Sequence, residues 1–203
     1  STLSSSSAAS DVYKRQRHYQ RDDSIVGQGV RRLVANVVQD GFTLDVDTGD
    51  EKLDKDLKSR FTAWSNDPDQ CHSEGEFTWS ELEQLSLSTV IVDGDVLVFP
   101  LRTGELQFVE AHRCRTPRNT SKNVVHGVLL DAMARRKEYW VTKEDIDPHR
   151  SLARVSDIKR YAVRDPDTGQ RSVHHLYMPQ RFSQRRGITA LAPITDTVGM
   201  HDD

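Results

Sequence analysis

Apolar residues near the start of the chain recur at the spacing of an amphipathic helix. Between residues 18 and 39 they fall three or four positions apart, which predicts a helix with one apolar face. The apolar positions are Ile25, Val26, Val30, Leu33, Val34, Val37 and Val38. Gly41 follows at a position where glycine commonly ends a helix, although Gly27 and Gly29 weaken the middle of this one.

Two further helices are predicted downstream by pattern and by capping. The second carries an apolar stripe at helical spacing, made of Leu53, Leu57, Phe61 and Trp64. Thr78 and Glu81 have the spacing of a capping box and predict the start of a third helix, with Trp79, Leu82 and Leu85 on it. Residues 66–75 are polar and are predicted to form the intervening loop.

The pattern changes to short runs typical of strands after this region. An early half-buried strand is predicted by the alternation of Phe42, Leu44 and Val46. Later strands are predicted at 90–92, 96–101, 106–109, 124–130, 138–142, 158–163 and 173–178, and a helix is predicted to begin between Gly187 and Asp203. Helices followed by short antiparallel strands indicate an α+β fold.

Composition narrows the class of protein only slightly. The 203 residues carry a formal charge of −3, which argues against a protein that coats nucleic acid but not against one that guides it through a channel. No apolar run reaches the roughly 18 residues typical of a membrane helix. Cys71 and Cys114 are the only cysteines, so no disulfide framework is predicted.

The first sixteen residues are predicted to be a non-native, disordered leader. Residues 6–16 read SSAASDVYKRQ, which matches the translation of an adapter used in transposase-based sequencing libraries. Such segments are set aside before fold reasoning. We therefore expect native sequence only in residues 17–203, and we expect the native protein to extend beyond both ends of the chain.

No motif in the sequence predicts a cofactor or a metal site. Cys71 and His72, together with His112 and Cys114, lack the spacing of a zinc site. His174 and His175 are adjacent, so on a strand at most one of them can face any given site. No catalytic or cofactor-binding residue is predicted on these grounds.

Two charged groups allow alternative functions. The carboxylates near strand ends, Asp93, Asp95, Glu105 and Glu110, are compatible with a metal-dependent nuclease. The three arginines between Arg181 and Arg186 could contact phosphate. The simpler interpretation of these arginines, and the one we favour from sequence, is a solvated loop whose arginines pair with neighbouring carboxylates.

In its order of motifs, the chain resembles the lambda family of phage portal proteins. The strongest stretch runs through 174–177, 180–187 and 188–194, where a histidine-bearing strand precedes a Gln-x-Arg-Gly turn and a Leu-Ala-Pro helix start. Gln184, Arg186 and Gly187 form that turn. Weaker matches follow the family order at 36–42, 94–96, 110–113 and 127–128. The likeness covers 18–203, and Asp145 to Val155 fits least well.

The resemblance implies a structural subunit of a homo-oligomeric ring, usually a dodecamer, at the portal vertex of the virion capsid. Double-stranded DNA would pass through its channel during packaging and genome ejection. Terminase, capsid or scaffold proteins and head–tail connector proteins would be its partners, with assembly in the host cytoplasm. The chain would map to the wing region of the portal, and the turn of Gln184, Arg186 and Gly187 would serve structure or subunit contact. The alternative is the nuclease, or another phage DNA-processing enzyme.

Overall fold

Four helices precede the strands in the described part of the chain, as the sequence predicts. A computed structural model describes residues 24–117, 120, 123–143 and 155–193, so the predicted leader at 1–16 and the divergent stretch up to residue 154 lie outside the described residues. The helices in this part of the chain are α1 (Ser24–Val38), α2 (Glu51–Asn66), α3 (Pro68–Cys71) and α4 (Trp79–Val92).

Helix α1 ends where its glycine predicts and packs on α4. Gln39 and Gly41 both have positive φ angles, and the Gly41 N–H donates to the Val38 carbonyl at 2.9 Å. This closes the helix in the way that left-handed residues commonly do. The buried face of α1 meets the end of α4 in one apolar cluster, made of Val30, Val34, Ile91, Val92 and Leu191.

The strand predicted at 42–46 is wrong. Residues 41–48 form no helix or strand, and Phe42 and Leu44 are exposed. Alternation alone does not make a strand, because a strand needs a partner for its backbone hydrogen bonds. Here the Phe42 N–H instead donates to the buried Glu83 carboxylate on α4 at 2.9 Å, and this contact holds the segment in an irregular path.

The capping box at the start of α4 is confirmed, whereas the strand predicted at 90–92 is wrong. Glu81 accepts hydrogen bonds from both the Thr78 N–H and the Thr78 hydroxyl at 2.8 Å. The helix then continues to Val92, and the Asp93 N–H donates to the Thr89 carbonyl. The helix stops only at Gly94, whose φ of +97° other residues rarely adopt. The β-branched run therefore lies in the last turn of a helix.

In the described part of the chain, seven strands form two antiparallel sheets. They are β1 (Asp95–Pro100), β2 (Leu106–Glu110), β3 (Val124–Val125), β4 (Val128–Leu130), β5 (Arg136–Thr142), β6 (Ile158–Ala162) and β7 (His174–Tyr177). The first sheet has the order β2-β1-β7 and the second the order β3-β4-β5-β6. Short 3-10 turns lie at Ala111–Arg113 and Val155–Asp157. The α+β class is confirmed.

The single strand predicted at 124–130 is a hairpin. His126 and Gly127 both have positive φ, at 50° and 84°, as the two central residues of a type I′ hairpin turn require. They reverse the chain between β3 and β4. Apolar runs on both sides of the turn concealed this reversal in the sequence, because histidine is an uncommon residue at the first of the two turn positions.

The main core lies between the two sheets. Its buried side chains come from both of them: Leu97 and Phe99 on β1, Val109 on β2, Val128 on β4, and Tyr139 and Val141 on β5. Beyond β7 the chain crosses to the end of α4, and Ala192 and Pro193 begin a helix as predicted. The remainder of that predicted helix lies outside the described residues. No helix in the described part of the chain is long and apolar enough to cross a membrane.

The capping box gives a first testable prediction. Thr78→Val keeps the side-chain shape but removes the hydroxyl that bonds Glu81, and we expect a loss of about 1 kcal/mol in the free energy of unfolding. Urea denaturation followed by circular dichroism measures this loss. The matched control is Thr62→Val on α2, whose hydroxyl only bonds the carbonyl of Lys58 one turn back. An equal loss in both variants would contradict the assignment.

Candidate functional site

Arg186 lies at the centre of a buried polar network between the two sheets. Its guanidinium makes a two-pronged ion pair with Asp95, with Nε to Oδ2 at 2.6 Å and Nη2 to Oδ1 at 2.9 Å. The remaining N–H groups donate to three backbone carbonyls, those of Ala111, Cys114 and His126, at 2.6 to 2.9 Å. All five guanidinium donors therefore have acceptors.

The acceptors of Arg186 come from separate parts of the fold. Asp95 is the first residue of β1, Ala111 lies in the 3-10 turn after β2, and His126 lies in the turn between β3 and β4. One side chain thus joins the first sheet to the second. Local structure explains why the carbonyls are free to accept, because each belongs to a turn or sheet end and not to the interior of a strand ladder.

The Asp95 carboxylate is fully engaged. Besides Arg186, it accepts a hydrogen bond from the Gly187 N–H at 2.8 Å and one from His175 Nε2 at 2.9 Å. The other ring nitrogen of His175 lies 3.3 Å from the Tyr139 hydroxyl. We assign the neutral tautomer in which Tyr139 donates to His175 Nδ1 and His175 Nε2–H donates to Asp95. The side chains of Asp95 and His175 are only 2% exposed.

Two glycines make the short Asp95–Arg186 distance possible. A Cβ on Gly187 would lie 1.8 Å from the Gly94 carbonyl oxygen, and a Cβ on Gly94 would lie 2.8 Å from the Gly187 carbonyl carbon. Both distances are below any van der Waals contact. The two backbones can approach only because neither residue has a side chain.

Gln184 organises the loop that delivers Arg186. Its Oε1 accepts from the Gln180 N–H at 2.7 Å, and its Nε2 donates to the Arg186 carbonyl at 2.8 Å. A second arginine holds the same loop from β5, because Arg136 Nη2 donates to the Tyr177 hydroxyl at 2.8 Å and, more weakly, to the Arg185 carbonyl. The loop between β7 and Gly187 is therefore fixed from within and from the second sheet.

The electrostatics of the network favour one charge state. Burial by itself would raise the pKa of Asp95, but the charge of Arg186 and the hydrogen bonds outweigh it and hold that pKa well below the ordinary 3.8. Burial lowers the pKa of His175 below 6.5, although Asp95 partly compensates. Burial also raises the pKa of Tyr139 to about 12. At neutral pH the network is thus an ionic Asp95–Arg186 pair with neutral His175 and Tyr139.

This arrangement does not favour nucleophilic catalysis at these residues. The order carboxylate, imidazole, hydroxyl resembles a catalytic triad, but its groups are buried and bonded to one another. Cys114, next to Arg186 in space, has a pKa raised to about 11 by burial, so its thiol stays protonated. What the geometry can do is fix the two sheets relative to each other.

The structure does not gather the other candidate groups into a site. Among the described residues, no group of three or more His, Cys, Asp or Glu side chains is arranged to hold a metal ion. The Cys71 thiol donates to the Phe77 carbonyl, and the Cys114 thiol to carbonyls of the β3–β4 turn. Asp95, a carboxylate of the nuclease alternative, is occupied by Arg186. His174 is exposed, whereas the His175 side chain is only 2% exposed, so the prediction that they face opposite ways is confirmed.

The interpretation of the three arginines as one solvated loop needs correction. Arg181 is exposed, but the Arg186 side chain is only 16% exposed and pairs with a buried carboxylate. The sequence pointed to Asp95 and His175 separately, but not to the contacts by which the Asp95 carboxylate joins His175 to Arg186. Nor did it point to Tyr139. The signal that was available is the paired Gly94-Asp95 and Arg186-Gly187, since a glycine beside each charged residue is what a close backbone approach requires.

Comparison with known proteins identifies the family. The family model described as phage portal protein, lambda family, matches residues 4–203. No protein with a curated description matches the chain. The match includes most of residues 1–16, and the assignment of that segment as a non-native leader stays a prediction.

Removing the guanidinium should destabilise the fold strongly. Arg186→Leu leaves Asp95 buried without its counter-charge and removes a donor from three carbonyls, and we expect a loss of about 3–5 kcal/mol in the free energy of unfolding. Urea denaturation measures it. Arg181→Leu, in the same loop but exposed, should change stability by less than about 0.5 kcal/mol. A loss below about 1 kcal/mol for Arg186→Leu would show that the ion pair is not required.

The same network predicts a pH dependence. The folded pKa of His175 is below its ordinary 6.5, so the unfolded chain binds a proton more readily and stability falls as pH drops from about 7 to 5. His175→Gln should make this fall smaller, while His126, whose pKa is also lowered by burial, sustains part of it. The measurement is the free energy of unfolding against pH. His174→Gln is the control, and an equal change of slope in both variants would contradict the assignment.

Proposed function

Because the chain belongs to the lambda family of phage portal proteins, we propose that it is a structural subunit of the oligomeric portal ring at the capsid vertex. In this role it contributes to the channel for DNA packaging and ejection, and to the ring on which terminase and the neck or tail proteins dock. The observation that carries the proposal is the family match over nearly the whole chain.

The geometry around Arg186 supports a structural role. A subunit of a ring that a packaging motor works against has to keep its sheets in fixed relative positions, and a fully satisfied buried ion pair does this more specifically than apolar contact alone. The turn of Gln184, Arg186 and Gly187 serves the internal structure of the subunit, since Gln184 is buried and Arg186 points inward. Within the portal, we assign the chain to the wing region, with residues 17–203 as native sequence.

The nuclease alternative gains nothing from the described residues. Its carboxylates do not converge, and Asp95 is neutralised by Arg186. A structural subunit requires no reactive group, and the family is structural rather than enzymatic. The ring number of twelve, the DNA channel and the partners terminase, scaffold and connector follow from the family only as proposals.

Assembly of the full-length protein tests the function. Purified full-length protein should form closed rings with a central channel, seen by negative-stain electron microscopy, with one dominant subunit number in native mass spectrometry. A protein that stays monomeric at all concentrations would contradict the proposal. Metal-dependent cleavage of DNA by the same preparation would favour the enzyme.

A further inference from the structure

Helix α2 leaves the N-terminal end of its apolar stripe exposed. None of its sixteen residues is buried. Its C-terminal end is anchored by Trp64. The ring centroids of Trp64 and Trp79 are 5.6 Å apart, and the indole N–H of Trp64 donates to the Gly104 carbonyl at 3.2 Å. Leu53 at the other end is 44% exposed. Helices of this length in proteins depend on packing of an apolar face, so the N-terminal half of α2 lacks within the described subunit the cover that such a helix normally has.

The segment before α2 adds further apolar surface beside it. Phe42 is 78% exposed and Leu44 is 40% exposed. The segment is held in place at both ends, by the bond from the Phe42 N–H to Glu83 and by the ion pair of Asp45 with Lys58 at 2.9 Å. We call the surface formed by Phe42, Leu44 and Leu53, with the charged residues between them, the acidic surface.

This surface has a negative net charge. Residues 42–56 contain six carboxylates and two lysines. The carboxylates are Asp45, Asp47, Asp50, Glu51, Asp54 and Asp56. Three of the six form exposed ion pairs with nearby cations. The pairs are Asp45 with Lys58, Glu51 with Lys55, and Asp56 with Arg60. With Lys58 and Arg60 counted, residues 42–60 keep a net charge of −2, so a partner for the acidic surface should combine an apolar group with positive charge.

The loop between β7 and Gly187 has this combination. Phe182 at its tip is 108% exposed, the preceding Arg181 is also exposed, and Arg185, three residues further on, is half-buried. Before the tip, the Gln180 N–H donates to Gln184 Oε1, and after it Arg136 donates to the Arg185 carbonyl, so the loop backbone is held on both sides. An aromatic side chain on a rigid loop loses little entropy on docking, and such residues with arginine beside them are typical anchors of interfaces.

We propose that Phe182 of one subunit docks on the acidic surface of the next subunit in the ring, with Arg181 and Arg185 facing its carboxylates. This inference rests on the proposed function. A cyclic ring needs a heterologous interface, in which one patch meets a different patch on the neighbour. The basic loop and the acidic surface form such a complementary pair, and electrostatic complementarity sets the register of an interface and excludes wrong partners.

Two other partners, the outward face of α1 and nucleic acid, fit these two surfaces less well. The outward face of α1 also combines apolar residues with Arg31 and Arg32, but its side chains at Ile25, Leu33 and Val37 are 49% to 80% exposed, and none projects from the surface as Phe182 does at 108%. Nucleic acid would attract the loop but not the acidic surface, which would then stay uncovered. A second copy of the chain covers both surfaces at once.

Cross-linking in the assembled full-length protein tests the docking. Phe182→Cys and Leu53→Cys are placed on separate, differently tagged copies that are co-expressed, and the rings are treated with a short bismaleimide. A covalent dimer containing both tags is expected. Cys71 and Cys114 are buried and should not react. The matched control pairs Phe182→Cys with Met133→Cys, an exposed apolar position on the β4–β5 turn.

The outcomes separate the two proposals. Rings that cross-link at Leu53 and not at Met133 support the docking. Rings that give no dimer at Leu53, or that cross-link through Leu33→Cys instead, overturn the docking and leave the portal function intact. Failure of the unmodified protein to form rings overturns the portal function, and the docking with it.

Charge reversal gives an independent readout. Arg181→Asp with Arg185→Asp should raise the concentration needed for ring assembly by about tenfold or more. Asp47→Arg with Glu51→Arg should have a similar effect, and combining all four changes should restore assembly. Restoration is an outcome that merely misfolded subunits would not give. If the loop variant assembles normally but retains less DNA, the loop serves nucleic acid and the docking proposal is overturned.

Discussion

A guanidinium can be buried only where acceptors surround it, because removing a counter-charge from a buried ion costs several kcal/mol. Arg186 meets this condition with one carboxylate and three carbonyls that belong to both sheets. The condition works in both directions. The arginine is tolerated because the turns converge, and the turns must converge because a displaced carbonyl would leave a donor unpaired. The relative position of the two sheets is fixed by this mutual requirement.

The same requirement explains residues that carry no charge. Gly94 ends α4 with a positive φ and at the same time lets the Gly187 backbone come within contact distance. Gly187 then donates its own N–H to Asp95. A side chain at either glycine would separate the two segments and lengthen the ion pair. The Gln-x-Arg-Gly turn thus behaves as one unit, in which Gln184 shapes the loop, the arginine pairs, and the glycine permits the approach.

Local patterns predicted the elements more reliably than their partners. The capping box of Thr78 and Glu81, the stripe of α2 and the α+β class needed only neighbouring residues, so the sequence was sufficient. The strand predicted at 42–46 and the strand predicted at 90–92 failed because strand formation depends on distant pairing and helix length on where a terminator occurs. The contact between Asp95 and Arg186 was not predicted for the same reason, since the two residues are 91 positions apart and no local pattern connects them.

Within six residues the chain places one arginine in the core and another in solvent, and the difference has a consequence for assembly. Arg186 anchors the end of the loop and Gln184 closes it. These contacts restrict the conformation of the exposed tip, which carries Arg181 and Phe182. The shape of the outer surface is therefore set by the inner ion pair. A rigid tip pays less entropy when it meets a neighbour, so the buried network contributes to contact between subunits without taking part in that contact.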